Sequence, residues 1–337
     1  MPILPILACT VLAALLTGAL TPLAIRLSLH WGIVARPDER RKHRGSIPRL
    51  GGLAVGSGFL LVGLALTLLF PLQNPADRLR VWGVLTGCMW MIGFGWLDDA
   101  YELNWGWQLF GQTVAAGIAI ATTIIIERFT HPLSHQIVKL PWAVFIPLTW
   151  FWVAGMINTV NFLDGLDGLA VGVSAIAATL FGVHMLQLGQ SQLALYAFAL
   201  MGACLGFLRW NFAPARIFLG GGALVLGYLL ATLSILAPAR AATALMVMAL
   251  PIADTAWQMF TRWRAGKPIF HGDRGHLHFR LQDMGYSTQK IVVGYWLISA
   301  ILGILSVTLP NGLWKLLWLG GFLGVVAVGF WWLGQKR

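Results

Sequence analysis

The sequence has 337 residues, 58% of them hydrophobic and only 10% charged, with a formal net charge of +11. So apolar a composition excludes an ordinary soluble domain and implies a polytopic membrane protein. The basic residues lie in loops between apolar runs, where membrane topology and anionic lipid headgroups account for them, so no nucleic-acid partner is expected.

Eleven stretches are long and apolar enough to span a bilayer, at roughly 3–25, 50–71, 80–97, 108–126, 141–160, 168–188, 192–208, 217–236, 241–260, 291–309 and 313–333. The expected fold is an all-α polytopic membrane protein of about 11 transmembrane helices, one domain covering 1–337. The first stretch lacks a basic n-region and a small-x-small cleavage site, so it is expected to stay as a helix. Cys9, Cys88 and Cys204 sit inside apolar runs and suggest neither a disulfide framework nor a zinc site. The 17 Trp residues fit interfacial belts as well as packing.

Loops around 26–49, 209–216 and 262–290, with Lys336 and Arg337, hold 17 of the 23 Lys and Arg residues. That side should be cytoplasmic, which puts the N-terminus outside and the C-terminus inside. All the acids except Asp77 and Glu127 fall on the same side. Topology does not require acids to follow bases, so an active cytoplasmic face is indicated. It would be built from loops 27–49, 98–107, 158–168, 209–222 and 261–290.

Five constellations lie there. The first loop carries A-R-P-D-E-R-R-K-H-R-G-S-I-P-R-L-G-G, chiefly a topology anchor, although Lys42 and His43 could contact phosphate or sugar. Next come Asp98 and Asp99, adjacent carboxylates at the end of the third stretch. They are unfavourable at a helix C-terminus, a cost that a metal or proton-transfer role would explain, against the plainer reading of a solvated helix end.

The third constellation is N-T-V-N-F-L-D-G-L-D-G, in which Asn158, Asn161, Asp164 and Asp167 recur every three residues between two apolar runs. On a helix they would share one face, drifting about 60° per step. Acceptors so grouped suit Mg²⁺ or the donors of a nucleotide or sugar, against the plainer reading of a polar turn. The fourth is R-W-N-F-A-P-A-R-I-F-L-G-G-G from Arg209, whose glycines at a helix start suit either phosphate or close packing. The fifth is D-R-G-H-L-H-F-R at 273–280. Its His276 and His278, flanked by arginines, suit phosphate better than zinc, since beyond His271 the loop offers no further Cys or His.

Together these motifs resemble the polyprenyl-phosphate N-acetylhexosamine-1-phosphate transferases, which include the phospho-N-acetylmuramoyl-pentapeptide transferase. The resemblance covers nearly the whole chain and rests on P-D-E-R-R-K-H…P-R-L-G-G, D-D, N-x-x-N-F-x-D-G-x-D-G-L-A, N-F-x-P-A-R-I-F-L-G and D-R-G-H-L-H. The last looks closer to the N-acetylglucosamine-1-phosphate branch than to the pentapeptide branch. The resemblance implies that a UDP-N-acetylhexosamine and undecaprenyl phosphate give undecaprenyl-diphospho-sugar and UMP, with Mg²⁺, or else Mn²⁺, as cofactor. In that reading Asp98 and Asp99 act on the lipid phosphate and organise the metal together with Asp164 and Asp167. Asn158, Asn161, Asp164 and Asp167 line the nucleotide pocket, with Asn211 among the binding residues, while His276, His278 and Arg280 hold diphosphate or sugar. The resemblance also points to a homodimer in a bacterial inner membrane, at the start of a cell-surface glycan pathway such as O-antigen or cell-wall synthesis.

The chain departs from the family pattern in four places. The family usually continues F-L-G with an Asp that resembles a metal ligand, whereas here Phe218-Leu219-Gly220 runs into Gly221-Gly222-Ala223 and rejoins the pattern one residue short. Ala35 replaces an Asp, Phe279 a His, and Gln108 stands near a common Lys. An inactive member of the family is therefore the main alternative. A transporter or flippase is disfavoured, because its carboxylates should lie near the midplane of repeated halves.

Overall fold

The computed structural model describes residues 3–35, 45–131, 136–236, 240–266, 275–309 and 312–335. It is nearly all helical, with two short antiparallel strand pairs. Seven described helices are long and apolar enough to cross a membrane: α1 (Ile3–His30), α2 (Gly51–Leu69), α5 (Trp142–Leu163), α6 (Leu169–Gln187), α7 (Ser191–Asn211), α12 (Thr288–Thr308) and α13 (Gly312–Gln335). Helix α3 (Pro75–Tyr101) carries charges at both ends, while α4 (Trp105–Ala121) and α8 (Gly222–Ile235) are shorter. The chain is thus a polytopic all-α membrane protein.

Each of the eleven apolar stretches falls on helix, with one difference. Stretch 241–260 is two helices, α9 (Arg240–Val247) and α10 (Ala249–Arg264), broken at Met248. Pro251 explains the break: it is tolerated in the first turn of α10 but its ring would clash with the carbonyl of residue 247 in a continuous helix. α10 also carries a polar face, with Asp254, Gln258 and Arg262 buried. The short α11 (Leu277–Asp283) follows.

Helix α8 is the post of the bundle. Its residues from Gly222 to Ser234 are all buried, packed by α2, α3, α5, α6 and α9. In contrast α1 and α13 are largely exposed along their spans. Small residues let backbones approach closely where side chains would hold them apart. A Cβ on Gly202 or Gly206 of α7 would collide with the carbonyl of Thr10 or Ala14 of α1.

Two local devices carry the chain to one end of this bundle. Helix α3 stops at Glu102, which adopts φ 48°, and Asn104 then caps α4 by accepting from the Gly106 and Trp107 N–H groups. The strands β1 (Val34–Ala35) and β2 (Ile47–Pro48) pair, and the chain after them runs beside 217–219. There Phe218 N donates to Pro48 O at 2.8 Å, and Gly52 N to Leu219 O at 2.9 Å. The second pair, β3 (Arg128–Thr130) with β4 (Ile137–Lys139), joins α4 to α5.

Candidate active site

The end of α3 supplies the paired carboxylates. Asp98 is half-buried and accepts from the Gln108 side-chain amide at 2.9 Å. Asp99 is buried, its Oδ2 accepting the Gly221 N–H at 2.8 Å, while Oδ1 lies 3.5 Å from Arg49 Nη2. The same guanidinium reaches Glu102 at 2.9 Å. Both aspartates lie past the apolar stretch 80–97. Burial pushes the Asp99 carboxyl up to about 7, opposed by Arg49 and the Gly221 N–H and reinforced by the charges of Asp98 and Asp164. Burial raises Asp98 as well, against its bond to Gln108.

Gly221 belongs to the glycine run at the start of α8. Its N–H is taken by Asp99 and that of Gly222 by Leu219 O, so both are spent inside the protein. The run serves close packing. Gly220 has φ +57°, and a Cβ there would lie 2.6 Å from both Asp99 carboxylate oxygens and collide with Arg49 O. A Cβ on Gly221 would collide with the backbone of Gly95. The Gly220–Gly221 step, where the resemblance places the chain one residue short, is therefore filled by Asp99 and the backbones of Arg49 and Gly95.

The Asn158–Gly168 segment is half helix and half turn. Asn158 and Asn161 sit on the last turns of α5; Asp164 caps it, and Gly168 at φ 80° starts α6. Asn158 exchanges hydrogen bonds with Gln112 of α4, Nδ2 donating to Oε1 at 2.7 Å and accepting at Oδ1 from Nε2 at 3.2 Å. Asn161 lines a cleft with Trp105, Gln108, Leu109, Gln112, Asn158 and Phe162. Asp167 accepts from Ala215 N at 2.9 Å. Asn211 is buried, with Oδ1 accepting from Gly168 N and Nδ2 donating to Ile217 O, so it braces the turn from within.

The histidine segment docks on that turn. His276 stacks on Phe162 at 5.4 Å, and a Cβ on Gly165 would collide with His278 Nε2. Arg280 Nε donates to Gly275 O at 2.7 Å. Lys42 and His43, together with His271, Asp273 and Arg274, lie outside the described residues.

The described parts of the five segments thus meet through direct contacts, but the carboxylates do not form a cage. Among the described residues no three His, Cys, Asp or Glu side chains gather closely enough to hold a metal ion. What the residues fit is an ion that takes one or two carboxylates and keeps water and substrate phosphate as its other ligands, as Mg²⁺ does. Asp98 and Asp164 are half-buried, while Asp99 is buried with its Oδ1 3.5 Å from Arg49 Nη2, so the first two are the carboxylates open to such an ion.

Three residues that touch the candidate site were not read as site residues in the sequence: Arg49, read as a topology anchor, Gln112 and Glu102. Gln112 stands four residues after Gln108 on an apolar helix, a spacing that puts both on one face and was there to be read.

The family model of glycosyl transferase family 4 matches residues 81–238. The chain is 30% identical over 318 residues to a probable undecaprenyl-phosphate N-acetylglucosaminyl 1-phosphate transferase of Bacillus subtilis, covering 92% of this chain and 86% of the relative. It is 34% identical over 310 residues to a decaprenyl-phosphate N-acetylglucosaminephosphotransferase of Mycobacterium tuberculosis, covering 82% and 74%. A phospho-N-acetylmuramoyl-pentapeptide-transferase of Desulforudis audaxviator is 29% identical over 338 residues, with 92% and 99% covered.

Proposed function

Because the chain belongs to the polyprenyl-phosphate N-acetylhexosamine-1-phosphate transferases of glycosyl transferase family 4, we propose that it transfers N-acetylglucosamine 1-phosphate from UDP-N-acetylglucosamine to undecaprenyl phosphate. The products are undecaprenyl-diphospho-N-acetylglucosamine and UMP, made at the cytoplasmic face of a bacterial inner membrane as the first membrane step of a surface-glycan pathway. The proposed topology has 11 spans with the N-terminus outside, and the proposed assembly is a homodimer. The named activities of the relatives support the acceptor and the sugar. The observation that carries the reading is the meeting of the Asp98–Asp99 pair with the start of α8 through the Asp99–Gly221 bond.

In this reaction a lipid phosphate oxygen attacks the β-phosphorus of the donor, and the bond from that phosphorus to the bridging oxygen breaks to release UMP. Two anions must approach, so charge neutralisation and alignment dominate the catalytic problem. Mg²⁺, or Mn²⁺ in its place, would neutralise the diphosphate, held by Asp98 and Asp164 with Asp99 and Asp167 behind them. Asp98, half-buried and held by one neutral amide, is the carboxylate that positions the lipid phosphate and takes a proton from it. Asp99 is committed to Gly221 and Arg49, so it acts by fixing Asp98 against α8. Asn158 and Asn161 face the nucleotide cleft and Asn211 braces the turn after them at Gly168, while Lys42, His43, His276, His278 and Arg280 contact phosphate or sugar.

The test is UMP release by the purified protein with undecaprenyl phosphate, UDP-N-acetylglucosamine and Mg²⁺. Release that needs both lipid and metal supports the proposal. Nucleotide binding without release favours the second reading, an inactive member, for which the closed Gly220–Gly221 seam is the specific observation.

A further inference from the structure

Helix α10 reaches the histidine segment with two buried polar side chains one turn apart. The Gln258 side-chain amide donates to Gly275 O. Asp254 Oδ1 accepts the Leu277 N–H at 2.9 Å, and Oδ2 lies 3.2 Å from His276 Nδ1. Asp254 is 3% exposed and His276 is 2% exposed. A carboxylate only accepts, so Nδ1 carries a proton and Nε2 is the remaining polar group of the ring. That nitrogen is buried and has no hydrogen-bond partner among the described residues. Buried polar atoms seldom stay so, and a ligand atom is the natural partner. The ring is stacked on Phe162, which lines the cleft with Asn158 and Asn161. Its other close neighbours are His278, whose Nδ1 is 3.8 Å from Asp254 Oδ2, and beyond it Tyr295 of α12, 6.4 Å from the His278 ring.

We propose that Asp254 is a positioning residue that holds His276 with Nδ1 protonated, so that the Nε2 lone pair accepts from a hydroxyl or amide N–H of the sugar nucleotide. The inference rests on the transferase reading above for the identity of that donor. Its geometry stands independently of turnover. The carboxylate–imidazole pairing is the arrangement by which proteins fix ring orientation and tautomer.

The test is Asp254→Asn, which keeps an oxygen for the Leu277 N–H while setting an amide donor against His276 Nδ1. That nitrogen must then accept, and the proton moves to Nε2. In protein labelled with ¹⁵N-histidine and held in nanodiscs, the His276 signal, identified by its loss in His276→Gln, is expected to change from the Nδ1–H to the Nε2–H pattern. Adding UDP-N-acetylglucosamine to wild type is expected to shift its Nε2 resonance. The kcat/KM for that donor is expected to fall by about tenfold or more, a usual effect of removing such a partner. In a His276→Gln background the same change should cost less than about twofold, because coupled residues are not additive. An unchanged tautomer, or an undiminished loss without His276, overturns the proposal. Absence of UMP release by wild type would sink the transferase reading alone, since the tautomer signal still decides the pairing.

Discussion

The Asp99 carboxylate accepts the Gly221 N–H at 2.8 Å, and Gly220, one residue earlier, lies so close that a Cβ would stand 2.6 Å from both of its oxygens. The last turn of α3 and the start of α8 are thereby joined through one buried side chain, with Arg49 as its counter-charge. Much of the site's behaviour follows from that joint.

Arg49→Ala would remove the counter-charge of Asp99, which burial already pushes up to about 7, so the carboxyl takes up a proton and the cost is about 1–3 kcal/mol. The expected outcome is a fall in the midpoint of thermal unfolding in detergent, followed by Trp fluorescence. Arg49→Ala combined with Asp99→Asn should recover much of it. A variant as stable as wild type would mean that Arg49 does not neutralise Asp99.

Gly220→Ala meets both a positive φ and a closed seam, so it is expected to destabilise by on the order of 2–4 kcal/mol. Inserting an Asp between Gly220 and Gly221, the position at which the family pattern is one residue short, should likewise lower the unfolding temperature and give no gain in UMP release. Activity that appears only in the insertion variant would identify the chain as an inactive member of its family.

Asp98 and Asp99 should separate by readout. Asp98→Asn is expected to lower UMP release by about 10²-fold or more while leaving unfolding unchanged, as removal of an acid–base group does. Asp99→Ala is expected to lower stability first, by about 1–3 kcal/mol, because it leaves the buried Gly221 N–H unpaired. Equal effects of the two on stability would contradict the division of roles.

The reciprocal amides of Gln112 and Asn158 tie α4 to α5 beside the cleft. Gln112→Ala should cost about 0.5–1.5 kcal/mol, the worth of ordinary hydrogen bonds, since Asn158 Nδ2 keeps its bond to Ala154 O at 2.8 Å. The double variant with Asn158→Ala should cost less than the two single losses added. Strict additivity would show that the pair is not coupled.

Chelation is expected to abolish UMP release, and Mg²⁺ to restore it, without a change in unfolding temperature. No described trio of ligands exists for an ion to hold the fold together. A metal-dependent melting point would point instead to a structural ion.

The helices were legible because apolar length alone marks them. Most of the motif residues stand out as types at a spacing: sequence alone assigned Asp98, Asn158, Asn161 and Asp164 to the expected active face, and the structure adds their contacts. What was hidden is what those residues touch. No pattern within one segment shows that Asp99 binds Gly221, 122 residues away, or that the amide of Asn211 is used up bracing Gly168. The break at Met248 was hidden by an apolar run that reads as one span, although Pro251 marked it. Asp254, Gln258 and Arg262 at four-residue steps signalled that this run is no ordinary lipid-facing helix.

Helix α8 has 14 residues, about 21 Å at ~1.5 Å per residue, against a hydrocarbon core of about 30 Å. A lipid-facing helix that short would force the bilayer to thin around it. Protein covers α8 on every side instead, so the shortfall costs nothing. Changes in bilayer thickness act first on the outer helices α1 and α13, and the joint between Asp99 and Gly221 is insulated from them. The protein should therefore hold its site geometry across membranes of different thickness while its outer helices tilt to match.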